Sequence, residues 1–288
     1  MVTAACPTIH TAPTKRVGRV ASNLRTVTLD AAALRDKLIG PYAAIDVVAH
    51  TGSTNADLRV AASRGAHDRT VLIAEQQTAG MGRRGRGWVS PTGGLYLSVL
   101  FRPSGVAPAR LPWLTLLAGV ALVRTAKSVG VEAALKWPND LLIGDAKAAG
   151  VLADVTAGVA QAVVVGIGLN VAELPADVEP GVGGLMPTSL EDHAGPLDRT
   201  EVAITLLSEL AALESQWRRA GGDEPALREE YRKHCATLGR PVRVELARSE
   251  PLLGTARYLE TDGTLVVRDD AGNDHSVSAG DVVHLRVR

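Results

Sequence analysis

Glu75-Gln-Gln-Thr-Ala-Gly-Met-Gly-Arg-Arg-Gly-Arg-Gly-Trp88 interleaves four glycines with three arginines. Glycine lets the backbone take positive φ and approach a ligand closely, and each guanidinium offers a planar fork matched to a carboxylate or phosphate. Val71 to Ala74 before the stretch and Leu95 to Phe101 after it read as buried strands, so the loop hangs from a sheet and its expected guest is a small anion. Gly80, Gly82 and Gly85 also satisfy G-x-G-x-x-G. A dinucleotide site, however, needs a helix opening at the glycines and an acidic residue about 20 positions on. Here Trp-Val-Ser-Pro-Thr-Gly-Gly follows, and no Asp or Glu occurs between Trp88 and Gly130. An arginine-glycine nucleic-acid tract is disfavoured because the run is single and short.

The 288-residue chain is 46% hydrophobic and 22% charged, and 31 basic residues balance 31 acidic ones. That composition is ordinary for a globular enzyme. It supplies no global field for DNA or an anionic membrane, so any positive charge that matters is local. Cys6 and Cys235 suggest neither a disulfide framework nor a zinc site. No apolar run approaches membrane-spanning length, and the first thirty residues lack a secretory apolar core. The expected compartment is the cytoplasm.

Residues 1–28 read as a loose extension, too short for a winged-helix DNA-binding domain. A helix is predicted from Asp30 to Gly40-Pro41, then a strand at Ile45 to His50. Ser53, Thr54 and Asn55 either cap the next helix or face a pocket; capping fully accounts for one of the three. Leu111 to Val129 is predicted as a strong helix stopped by Gly130. Lys136-Trp-Pro-Asn-Asp140 follows. Turn chemistry accounts for Pro-Asn-Asp but not for Lys136 and Lys147 bracketing a carboxylate, Asp140. Ala162 to Val171 reads as a buried strand with Asn170 near its end, where ligand contact and a backbone tie are equally open. Residues 172–196 form a long connection, and Asp198 to Gly221 and Pro225 to Leu238 read as helices. From Gly239 the pattern turns to short strands, at Val242 to Leu246, Gly254 to Glu260, Leu265 to Arg268 and Val282 to Val287. The domains are therefore an extension, 1–28, a catalytic domain, 29–238, and a small β-barrel, 239–288.

The loop, the Lys-Trp-Pro-Asn-Asp turn and Lys147 supply cations, aromatic surfaces in Trp88 and Trp137, and a candidate magnesium carboxylate in Asp140. No serine, cysteine or histidine is set up as a nucleophile beside a base. Cations without an enzyme nucleophile suit phosphoryl or nucleotidyl transfer between bound substrates.

Ser53-Thr-Asn55, Gln77 to Trp88, Lys136-Trp-Pro-Asn-Asp140, Lys147-Ala-Ala-Gly150-Val-Leu and Val165-Gly-Ile-Gly-Leu-Asn170 occur together between about residues 45 and 171. In this order and spacing the chain resembles the biotin protein ligases (biotin–acetyl-CoA-carboxylase ligases). The resemblance implies an α+β fold: a mixed-sheet catalytic domain of the biotin/lipoate ligase type with a small C-terminal SH3-like β-barrel. It implies joining of biotin to the α-phosphate of ATP, with magnesium, release of pyrophosphate, and transfer of biotin to a lysine of a biotin carboxyl carrier protein. The catalytic residues implied are Arg83 and Lys147. Biotin would be bound by Ser53, Thr54, Asn55, Gln77, Gly80, Met81, Gly82, Arg83, Lys147 and Gly150, with Ser53, Thr54 and Gln77 on the ureido head. ATP would be bound by Arg83, Arg84, Arg86, Trp88, Asn139, Lys147 and Asn170, and Asp140 would be the magnesium ligand. The expected state is a monomer or homodimer without a DNA or membrane partner.

Two positions depart from the family pattern. Met81 stands where arginine is usual, and Ala148 where leucine is usual. Loss of the side-chain cation at 81 admits a second reading, a biotin binder with impaired catalysis. A lipoate or octanoyl ligase on the same fold is the enzyme alternative.

Overall fold

A computed structural model describes residues 28–156, 161–246, 250–278 and 280–285. Apart from Thr28, the expected N-terminal extension with Cys6 lies outside the described residues, as does the end of the last expected strand, 286–287. The order is α1 (Ala31–Leu38), β1 (Ala44–Thr51), α2 (Thr54–Ser63), β2 (Thr70–Gln77), β3 (Leu95–Phe101), α3 (Trp113–Ser128), β4 (Ala134–Lys136), β5 (Asp140–Ile143), β6 (Ala146–Thr156), β7 (Ala162–Leu169), α4 (Glu191–Ala194), α5 (Arg199–Arg219), α6 (Pro225–His234) and β8 (Pro241–Glu245). Four further strands follow: β9 (Leu252–Leu259), β10 (Leu265–Arg268), β11 (Asp274–Val277) and β12 (Asp281–His284).

The first seven strands form one mixed sheet ordered β1-β2-β3-β7-β6-β5-β4, with β1 parallel to β2 and the other pairs antiparallel. Its two faces are used differently. Leu95, Leu97, Val99 and Phe101 of β3, with Val163, Val165, Ile167 and Leu169 of β7, enter the main core beneath α1, α3 and α5. The alternating positions point the other way, where Leu58 and Ala62 of α2 pack on Leu100, Ala162 and Val164. That second face is only partly covered by α2, and the site opens beside it.

Caps follow the sequence. Asp30 accepts from the Ala32 and Ala33 amides, Ser53 from that of Ala56, and Asp198 from those of Thr200 and Glu201; each satisfies otherwise orphaned helix donors. Beneath the arginine loop, Arg199 Nη2 lies 2.6 Å from Glu75 Oε2, and Glu75 Oε1 accepts from the Leu29 amide. The pair fastens the start of α5 to β2.

Several boundaries differ from expectation. The helix expected to reach Leu238 ends at His234, because Cys235 turns extended and bridges to Leu135. Periodicity in one segment does not reveal a strand waiting elsewhere. The C-terminal part has five antiparallel strands, ordered β11-β10-β9-β8-β12, where four were expected. The extra one, β11, is Asp-His-Ser-Val, with only Val277 buried, and so carries little apolar signal. This small SH3-like barrel shares its core with the part built on the seven-stranded sheet: Val242, Val244, Ala256, Leu265 and Val282 belong to the same apolar cluster as α3 and β7.

Candidate active site

The pocket floor is made of glycine. Gly150 and Gly168 are cross-strand partners on β6 and β7, and Gly166 lies opposite Ser98 on one side and Leu152 on the other. A β-carbon at Gly168 would sit 2.4 Å from Trp88 Nε1, and one at Gly150 3.1 Å from Trp88 Cζ3. The missing side chains thus make room for the Trp88 ring, and Lys147 Nζ sits 5.2 Å from that ring's centroid, within cation–π range. The Trp88 indole N–H is buried without a hydrogen-bond partner.

At one end of the pocket the groups are polar and neutral. Gln77 Oε1 accepts from the Thr54 amide at 2.9 Å, and Gln77 Nε2 donates to Ser90 Oγ at 3.1 Å. Thr54 lies 2.7 Å, oxygen to oxygen, from Ser98 Oγ. Asn55 points its amide nitrogen at Leu152 O and Asp154 Oδ2 and its oxygen at Ser98 Oγ, 2.6 Å away. Ser53, Thr54, Asn55 and Ser98 are all buried.

The other end is cationic. Lys147 Nζ is 2.6 Å from Asp140 Oδ1, and Lys136 Nζ is 3.3 Å from Asp140 Oδ2. Burial lowers the Lys136 pKa, and Asp140 opposes that. Both carboxylate oxygens therefore face ammonium groups. The loop folds back on itself, with the Trp88 amide donating to Gly80 O and the Gly82 amide to Arg86 O. Arg84 takes φ 55 within it, a left-handed conformation uncommon outside glycine. The loop is docked on the barrel: Arg86 grips Asp281 with both terminal nitrogens, at 2.5 and 3.0 Å. Arg84 Nη1 is 3.4 Å from Asp281, and Arg83 donates to Gly280 O and Asn139 Oδ1. The Arg86 hydrogen bond, more than its bare charge, holds the Asp281 carboxyl below the ordinary carboxylate range.

The structure gathers Ser53, Thr54, Asn55, Gln77, Met81, Gly82, Arg83, Arg86, Trp88, Asn139, Asp140, Lys147, Gly150 and Asn170 around one pocket. Gly80 serves from behind: a β-carbon there would meet Trp88 O at 2.6 Å. Arg84 lies off the lining and binds Glu245 O. Asn170 lines the pocket and also ties the backbone, its amide nitrogen donating to Thr188 O at 2.9 Å. Asp140 does not fit a resident magnesium ion. A cation there would face two ammonium groups, and among the described residues no cluster of three or more His, Cys, Asp or Glu is placed to hold a metal. Asp140 instead acts as counter-ion to the two lysines.

Sequence reasoning missed three contributions. Leu174, Val178, Val182 and Leu185 of the long connection line the pocket, and the only signal was apolar residues spaced through a Pro- and Gly-rich stretch. Asp281 comes from the barrel, and no local pattern marks it. Ser98 was visible as the lone polar residue in Leu-Tyr-Leu-Ser-Val-Leu-Phe.

Residues 48–170 match the Biotin/lipoate A/B protein ligase family, and residues 237–285 match the Biotin protein ligase C terminal domain. The chain is 45% identical over 267 residues to a Biotin--[acetyl-CoA-carboxylase] ligase of Mycobacterium tuberculosis, covering 90% of this chain and 96% of that protein. A protein of the same name from Paracoccus denitrificans is 34% identical over 233 residues, 78% of this chain and 95% of its own length. Among solved structures, the biotin protein ligase from Aquifex aeolicus in complex with biotin and ATP superposes with a TM-score of 0.71 at 25% identity. The match covers 85% of this chain and 100% of that one.

Proposed function

The chain belongs to the biotin protein ligase family, and from that premise we infer that it is an ATP-dependent biotin–[biotin carboxyl-carrier protein] ligase. A biotin carboxylate oxygen bonds to the α-phosphorus of ATP as the bond to pyrophosphate breaks. A carrier lysine amine then bonds to the acyl carbon of biotinyl-5′-AMP, AMP leaves, and the amine proton passes to solvent. The observation that supports this most directly is the single pocket running from neutral hydrogen-bonding groups at Ser53, Thr54 and Gln77 to cations at Lys147 and Arg83. That polarity matches a molecule with a ureido ring at one end and a carboxylate at the other.

In this reading Arg83 and Lys147 line the carboxylate and the α-phosphate and offset the charge that builds up in the transition state. Trp88, Asn139 and Asn170 flank the nucleotide, and Arg84 and Arg86 serve its phosphates by exchanging the Asp281 carboxylate for them. Any magnesium the reaction uses would be held by the nucleotide phosphates and water and would supply charge neutralisation there. The carrier is the biotin carboxyl carrier protein of an acyl-CoA carboxylase, met in the cytoplasm, and no DNA-binding role is included.

Lipoate is the competing acid, and ATP–pyrophosphate exchange with biotin, lipoate or no acid separates the two. Exchange that requires biotin is the expected result. Exchange driven by lipoate alone would move the chain to the sister activity. Absence of exchange with retained biotin binding would point to an impaired binder and make Met81→Arg the next variant.

A further inference from the structure

Behind the neutral end of the pocket lies a buried hydrogen-bond chain whose proton directions follow from valence. Asn55 reaches across Gly166, where a β-carbon would lie 2.0 Å from its Oδ1; only glycine leaves the passage open. The Asn55 atom facing Leu152 O and the Asp154 carboxylate must be the nitrogen, since both partners only accept. The atom facing Ser98 is then a pure acceptor, 2.6 Å away, and the single Ser98 proton goes to it. Were that proton turned to Thr54 instead, two lone-pair atoms would meet at 2.6 Å. Ser98 Oγ accordingly accepts from the Thr54 hydroxyl at 2.7 Å. Gln77 Oε1, 3.1 Å from Thr54 Oγ1, accepts from the Thr54 amide and has a second lone pair, but a Thr54 proton turned to it would leave the shorter 2.7 Å Thr54–Ser98 contact without a hydrogen. The Thr54 hydroxyl proton is thus directed backward, and toward the pocket Thr54 Oγ1 has only lone pairs to offer.

We propose that Ser98, which lies off the pocket lining, and Asn55, which lines it, are specificity-determining positioning residues: they lock the Thr54 hydroxyl as an acceptor, so that the site takes an acid whose ring presents an N–H there. This rests on the biotin reading above and adds to it the residues that make the ureido N–H compulsory. An acid with a disulfide ring has no such donor, and a ring atom that only accepts meets lone pair with lone pair.

Dissociation constants for biotin and for its two cyclic carbamate analogues, each with one ureido N–H replaced by oxygen, test the proposal. They would be measured by calorimetry on the intact protein. The wild type is expected to reject one regioisomer by on the order of tenfold to a hundredfold, the scale of a buried unpaired polar group. In Ser98→Ala the Thr54 hydroxyl is free to turn and donate, so this preference shrinks to about threefold or less, and Thr54→Val, which removes the acceptor, does the same. ATP affinity is unchanged in Ser98→Ala. A merely structural role would weaken all three ligands together and keep the ratio, and that result overturns the proposal. Should Ser98→Ala not fold, the near-isosteric Ser98→Cys stands in. Its weak sulfur donor and acceptor lowers the ratio if the proposal holds, and an unchanged ratio overturns it. A wild type that binds biotin but accepts both analogues equally refutes the polarity lock alone, whereas a wild type that binds no biotin refutes the functional reading.

Discussion

The site's selectivity begins with single residues that make room. Gly150, Gly166 and Gly168 give up side chains so that Trp88 and Asn55 can lie against the sheet, and a methyl group at any of them would intrude on a contact the pocket uses. Met81 keeps its backbone bridge to Gly87 while the residue is 48% exposed. The loop's path therefore does not depend on the side chain at this position. Arg83 is the cation that reaches inward, held by Asn139 and Gly280 O. Arg83→Gly is expected to fold normally yet release biotinyl-5′-AMP about tenfold faster, the consequence of losing one charge-assisted contact. Chromatography of the free adenylate during turnover without carrier checks this, and release no faster than the wild type would remove Arg83 from the retaining role.

At the scale of elements, the arginine loop is set by what it docks on. Its glycines admit many conformations, and Asp281 at the start of β12 selects one by gathering Arg83, Arg84 and Arg86. Because Arg86 depresses the folded-state pKa of Asp281, the docking is complete above the ordinary carboxylate pKa near 4 and is lost only as pH falls through the lower folded value. Asp281→Asn removes the charge and keeps the shape. A loss of about 1 kcal/mol multiplies the open population about fivefold, so trypsin should cut after the loop arginines about five times faster in this variant. Mass spectrometry of the early fragments reads the site, and equal cleavage rates would show that Asp281 does not hold the loop.

Across the whole molecule the two sheets are joined by polar contacts as well as by a shared core. Trp137 is almost fully buried. Its indole donates to Gly263 O in the barrel, and its amide donates to Thr237 Oγ1, which in turn lies 2.9 Å from His284 Nε2. Burial first, then Lys136 and Arg240, push the His284 pKa down to about 4 against the pull of Asp145 and Asp140. An unfolded histidine titrates near 6.5. The neutral ring's contribution is therefore full above about pH 6.5 and drains away as pH falls toward 4, because the unfolded chain takes up the proton first. His284→Gln retains an acceptor for Thr237 without titrating. Its Tm should fall less than that of the wild type between pH 7 and pH 5, as read by differential scanning fluorimetry, and parallel curves would exclude His284 as the sensor.

What the sequence determined by itself was local: helix caps at Asp30 and Asp198 and at one of Ser53, Thr54 and Asn55, the strands around the glycine-arginine loop, the cations at Lys136 and Lys147, and a motif order specific enough to name the family. These were legible because capping, periodicity and charge act within a few residues. Tertiary structure alone decided the rest. Asp140 became a counter-ion because two lysines from different strands converge on it. Cys235 left its helix for a strand partner 100 residues earlier, Asp281 crossed from the barrel to organise a loop nearly 200 residues away, and Ser98 found Thr54 and Asn55 only once β3 passed beneath α2. Each of those outcomes depends on which atoms meet after the chain has closed on itself, and composition and spacing carry no record of that meeting.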